Sequence, residues 1–161
     1  MTSNRPSNRV IRLLAGDGRL STVVVVRGVP DVRVCAATEA AGLRSSGRGI
    51  VIALRDPGTV PIALRSGWKA ILSLEVPDVD PWGELATNED LAPTGDVIAA
   101  FVVENRDVER VVLHCHLGVS RSRSAAAAIC DVLHWPYRWT VLHEPLYAAV
   151  RDALKRRLDH G

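Results

Sequence analysis

The chain is short of several things at once. Among 161 residues there is no glutamine, only two lysines (Lys69 and Lys155), one phenylalanine, three cysteines and no uninterrupted apolar stretch long enough to cross a bilayer. The missing apolar run excludes a membrane-spanning helix, and the polar opening Met1–Arg9 does not read as a signal peptide. Cys35, Cys115 and Cys130 are too few and too widely spaced for a disulfide framework, and fit a reducing, cytoplasmic setting. The net charge is only +2, and the arginines are scattered rather than striped along one face, so nucleic acid is not indicated as a partner. What remains is a chain that is 47% hydrophobic and close to the usual domain size. The expectation is a loose tail over residues 1–9 and one domain over residues 10–161.

The most informative stretch is His114-Cys115-His116-Leu117-Gly118-Val119-Ser120-Arg121-Ser122. It follows the apolar run Val111-Val112-Leu113 and precedes Arg123-Ser124 and four consecutive alanines, which favour a helix. The pattern predicts a strand, a tight loop and a helix, with the loop over the helix N-terminus. Such a loop aims backbone N–H groups at one point and adds the positive end of a helix dipole, so residues 116–121 are expected to bind a phosphate dianion. Cys115, facing those dipoles and Arg121, is expected to be a thiolate nucleophile near neutral pH. The planar fork of Arg121 matches two phosphate oxygens. Ser122 is placed to donate to the thiolate. Gly118 lets the chain curl where a side chain would collide with bound phosphate. His114 is expected to bond to the loop backbone. Zinc held by His114, Cys115 and His116 is discounted, because adjacent residues at a strand end point to opposite sides and no second Cys/His pair stands at ligand spacing.

Elsewhere the chain alternates strand-like and helix-like segments. Val10–Leu14 and Ser21–Val26 flank a Gly16-Asp17-Gly18 turn, a hairpin signal. Ala36–Leu43 is weakly helical, Gly49–Leu54 reads as a buried strand ended by Asp56-Pro57-Gly58, and Lys69–Val76 as another strand. A helix is expected over Thr94–Glu104 with Thr94 as N-cap. The strand Val111–Cys115, a helix Ser122–His134 and a last helix Pro145–Leu158 follow. The fold class is therefore α/β, a mainly parallel central sheet flanked by helices, with the phosphate loop at the carboxyl edge of a central strand.

The signature His-Cys-x-x-Gly-x-x-Arg-Ser at 114–122 resembles that of the cysteine-dependent protein tyrosine phosphatase superfamily, its compact dual-specificity and bacterial-type branch in particular. A rhodanese-like sulfurtransferase also uses a strand-loop-helix cysteine, but that family's loop is typically shorter by a residue. The resemblance implies hydrolysis of phosphoric monoesters through a cysteinyl-phosphate, without cofactor or metal. It also implies an upstream carboxyl group that protonates the leaving oxygen and then activates water. Asp78 is the choice, because Pro77-Asp78 is similar to the end of the Trp-Pro-Asp motif of larger tyrosine phosphatases, although Val76 replaces the tryptophan. Asp80 is its rival. The absent glutamine, which positions the hydrolytic water in the larger enzymes, points to a compact subfamily. The implied partner is a phosphorylated protein or small phosphoester. The loop carries no extra lysine or arginine at His116, Leu117, Val119 or Ser120, as phosphoinositide-directed relatives commonly do. The alternatives are a phosphate- or phosphoprotein-binding module without turnover, or a phosphatase for non-protein phosphoesters such as phosphoinositides. A reversible disulfide from Cys35 or Cys130 to Cys115 is a further option against plain core packing.

Overall fold

The computed structural model describes residues 9–14, 20–25, 29–45, 47–78 and 88–161. Two compact units divide the chain, Met1–Pro30 and Asp31–Gly161. In the first, strands β1 (Arg9–Leu14) and β2 (Leu20–Val25) pair antiparallel, with Leu14 opposite Leu20. This is the expected hairpin; the expected Gly16-Asp17-Gly18 turn and the tail through residue 8 lie outside the described residues.

The second unit runs β3 (Asp31–Ala36), α1 (Ala37–Gly42), β4 (Gly49–Arg55), β5 (Ala70–Glu75), α2 (Asn88–Glu104), β6 (Arg110–Cys115), α3 (Arg121–Leu133) and α4 (Glu144–Asp159). Its four strands form one parallel sheet in the order β3-β6-β4-β5. The last strand made is thus an inner one, with β3 on one side and β4 on the other. Strands β4 and β6 are apolar at nearly every position, as expected for strands covered on both faces. On one face Cys35, Val51 and Val112 pack with Ala40 of α1, and Leu43, Ile62, Leu64 and Trp68 close over them. The alternate residues Ile50, Ile52, Leu54, Val111 and Leu113 are buried as well. Helix α3 packs on β6, β3 and β4, α2 on β5, and α4 on both α2 and α3.

Two features of α3 and α4 follow directly from small side chains. Ala125–Ala128 are fully buried, so the alanine run serves as a thin helix face as well as a helix former. At Gly95 in α2 an added Cβ would lie 2.4 Å from the Ala149 carbonyl oxygen, so this glycine is what lets α2 and α4 approach so closely. Helix α3 stops where His134 turns left-handed, at φ 57°.

Two expectations need correction. Strand β3 was not anticipated: Asp31 and Arg33 interrupt its apolar pattern, as charges do on sheet edges. Helix α2 begins at Asn88, not after Thr94, and contains Pro93. Proline costs a helix its N–H and crowds the preceding turn, but Leu91 is buried and anchors the earlier residues. Thr94 is accordingly inside the helix rather than its N-cap.

Candidate active site

Cys115 ends β6 and is 2% exposed. Residues 116–120 form the loop, and Arg121 opens α3. The Gly118 N–H donates to Cys115 Sγ at 3.2 Å, and Ser122 Oγ stands 3.2 Å from the same sulfur. Burial pushes the Cys115 thiol pKa up. The Ser122 hydroxyl and the backbone N–H groups of Ser122, Gly118 and Val119 pull it down harder, so the net shift is below the ordinary 9.0. The other two thiols go the opposite way: burial raises Cys35 to about 11 and Cys130 to about 12. Three buried thiols of one chain are thus separated by what surrounds each sulfur, and Cys115 alone has donors aimed at it.

Arg121 is equally buried, at 2% exposed. Its Nη1 donates to Asp56 Oδ1 and to the Val76 carbonyl, both at 2.8 Å. Its Nη2 lies 3.7 Å from Asp78 Oδ2, and its Nε has no hydrogen-bond partner among the described residues. The Val76 carbonyl and Asp56 therefore occupy Nη1, and Asp78 stands at 3.7 Å on the Nε/Nη2 edge. That is the pair of parallel N–H groups that grips an oxyanion bidentately. The structure brings Arg121 and Asp78 together as a loose ion pair. Asp80 lies outside the described residues.

The loop rests on the strand that sequence reasoning missed. Gly118 has φ 71°, and an added Cβ would meet the Cys35 carbonyl carbon at 2.5 Å and the Ala36 nitrogen at 2.6 Å. Glycine is required here both by its left-handed φ and by the backbone of β3. The Ala37 N–H donates to the His116 carbonyl at 3.3 Å, and Arg123 Nε donates to the Gly118 carbonyl at 3.0 Å. Leu117 and Val119 are exposed, as is His116. Ser120 Oγ is buried without a hydrogen-bond partner among the described residues.

Both ring nitrogens of His114 are buried and neither makes a hydrogen bond of normal geometry among the described residues. Burial drives its pKa down, and the Cys115 backbone offsets part of that. Its polar interaction with the loop is thus with the backbone of Cys115, where the loop begins. An apolar cavity of about 140 Å³ lies beside it, lined by Ala53, Ile62, Leu64 and Ile71, with Asp56 and Cys115 at its edge.

Asp78 leaves the end of β5 through Val76 and Pro77. Val76 is fully buried, and its N–H donates to the Arg55 carbonyl at 2.9 Å. The Pro77 carbonyl lies 3.1 Å from His143 Nε2. The side chains of Asp56 and Asp78 are 46% and 43% exposed, so both carboxylates face water as well as Arg121. Asp56 and His143 are the site residues that sequence reasoning did not select. Asp56 did carry a signal, since it stands just past the end of β4, the strand paired with β6. Among the described residues, no cluster of His, Cys, Asp and Glu could hold a metal ion, and no helix is long and apolar enough to cross a membrane.

Solved structures similar to this chain include three that are protein tyrosine or dual-specificity phosphatases. Tk-PTP, in its active form, is 17% identical over 80% of this chain and 95% of its own, with a TM-score of 0.43. Human DUSP28 is 17% identical over 85% of this chain and 100% of its own, with a TM-score of 0.40. OH1 from the Orf virus, a tyrosine phosphatase with triple substrate specificity, is 16% identical over 83% of this chain and 74% of its own, with a TM-score of 0.39. No protein-family model matches the chain, and no curated protein matches it by sequence.

Proposed function

We propose that the chain is a cysteine-dependent phosphatase of the protein tyrosine/dual-specificity type, hydrolysing phosphoric monoesters on phosphoproteins or small phosphoesters. One observation carries this reading. A thiol with a lowered pKa, held by Gly118 and Ser122, begins the same loop that ends in Arg121, whose Nε is unbonded among the described residues and whose Nη2 stands 3.7 Å from Asp78. The loop amides of residues 116–121 and that edge hold the phosphate oxygens. The Cys115 thiolate attacks phosphorus, forming the S–P bond as the P–O bond to the leaving group breaks. Asp78 gives its proton to the departing oxygen. A water that returns its proton to Asp78 then attacks the cysteinyl-phosphate. Inorganic phosphate leaves, and the sulfur departs as a thiolate helped by the Ser122 hydroxyl.

The arrangement puts negative charge on sulfur only where donors already point, which is how a fixed site stabilises charge without reorganising. All these groups belong to the Asp31–Gly161 unit. Three free thiols, one of them the nucleophile, fit a reducing cytoplasm as the working compartment. The test is hydrolysis of an aryl phosphate, without added metal, by wild type and by Cys115→Ser. The expected outcome is turnover in the first and a loss of at least about a thousandfold in the second, with binding of a phosphate mimic retained. Equal rates in the two proteins reject the mechanism. Tight binding with no turnover in wild type replaces it with a phosphate-recognition module.

A further inference from the structure

We propose that His143 is a positioning residue for Asp78: it fixes the Pro77 carbonyl and couples the acid-bearing segment to the phosphate loop through Ser124. The catalytic consequence rests on the phosphatase reading; the structural tie does not.

His143 is 2% exposed and caps α4, its Nδ1 accepting the Leu146 N–H at 3.3 Å. A neutral imidazole that accepts at Nδ1 carries its proton on Nε2. The partners thus assign the tautomer, and Nε2–H donates to the Pro77 carbonyl at 3.1 Å. On the other side, the His143 backbone N–H donates to Ser124 Oγ at 2.8 Å, and the Ser124 N–H donates to the Ser120 carbonyl at 3.0 Å. A continuous path of hydrogen bonds and short covalent steps therefore runs from Ser120 in the loop, through α3 and the start of α4, to the residue before Asp78.

The two peptide groups ahead of Asp78 are held by different elements. The Val76 carbonyl is taken by Arg121 and the Pro77 carbonyl by His143. Proline has no N–H, so its carbonyl is the one backbone handle a neighbour can grip at that residue. Capping alone does not account for histidine, because Asn, Asp, Ser and Thr are the favoured N-caps. The extra reach of the imidazole is what Pro77 uses.

The test separates the cap from the tie. His143→Asn keeps a capping oxygen for Leu146 but is too short to reach Pro77. Two readouts follow. Hydrogen exchange at the Val76 amide, which is bonded to the Arg55 carbonyl, is expected to speed up by about tenfold or more while Leu146 stays protected. Hydrolysis of phenyl phosphate, whose leaving group needs a proton, is expected to fall by about tenfold. Hydrolysis of 2,4-dinitrophenyl phosphate, whose leaving group does not, is expected to stay within about twofold. An unchanged Val76 exchange rate, or an equal fall on both esters, overturns the proposal. If wild type hydrolyses neither ester, the phosphatase reading fails and the exchange measurement alone decides the tie. Should His143→Asn not fold, His143→Ser, a cap with still less reach, is read in the same way.

Discussion

The phosphate loop and the acid segment meet at one guanidinium, yet they are built on opposite plans. Residues 115–121 are one continuous stretch, seated between β6 and α3, whose sulfur takes its donors from Gly118 and Ser122 a few positions away. Residues 76–78 hold almost nothing by themselves. Val76 is gripped by Arg55 and Arg121, Pro77 by His143, and Asp78 stands at ion-pair distance from Arg121. The proposed nucleophile takes its donors from neighbours in sequence, whereas the proposed acid depends on neighbours in space. A site of this kind is expected to keep its phosphate affinity when the acid is disturbed, but not its turnover.

Substitution of Asp78 tests that contrast most directly. Asp78→Asn is expected to lower turnover by about a hundredfold while leaving inhibition by a phosphate mimic nearly unchanged. A parallel loss of affinity would mean that Asp78 serves chiefly to orient Arg121. Next in size is the contrast among the thiols. The thiolate fraction grows as pH rises through a thiol's pKa, so a depressed pKa moves reactivity to lower pH. Iodoacetamide at neutral pH is expected to label Cys115 at least about tenfold faster than Cys35 or Cys130, after allowing for the weaker intrinsic nucleophilicity of a more acidic thiol. Its rate is expected to reach half its maximum below pH 9.0, whereas those of Cys35 and Cys130 keep rising towards about 11 and about 12. Peptide mapping after brief alkylation reads this, and uniform labelling would contradict it.

The smallest expected effect belongs to the second carboxylate. Asp56→Asn keeps a hydrogen-bond acceptor for Arg121 Nη1, which also retains the Val76 carbonyl. The pair is half-open to water on the Asp56 side, so screening limits its worth to about 1 kcal/mol. Phosphate-mimic affinity is expected to weaken only a few-fold. If Asp56→Asn instead costs more turnover than Asp78→Asn, the proton donor is Asp56.

The elements that were legible in the sequence are those with a local signature. The strand-loop-helix at 110–133 follows from an apolar run, a Gly-containing loop and an alanine-rich helix, each read within its own few residues. Strand β3 hid because it is short and carries Asp31 and Arg33 in place of a continuous apolar run, and its role lies in the backbone of Cys35 and Ala36 that Gly118 approaches. The start of α2 hid because Pro93 reads as a barrier while the burial of Leu91 does not show in a sequence. His114 was expected to bond the loop backbone; it interacts with the backbone of Cys115, while burial of both ring nitrogens is a feature only packing could supply.

What the sequence by itself determined is the chemistry of one short stretch: a cysteine, its loop amides, a serine and an arginine, all fixed relative to one another by a strand end and a helix start. Tertiary structure decided which corner of that arginine the Val76 carbonyl takes, which carboxylates flank it and what holds the proposed acid segment in place. Asp56, Val76, Pro77 and His143 lie far from the loop along the chain. Asp56, Val76 and Pro77 converge because parallel strands bring their carboxyl ends to the same edge of the sheet, His143 arrives at the N-terminus of α4, and local propensity carries no information about which of these will be neighbours.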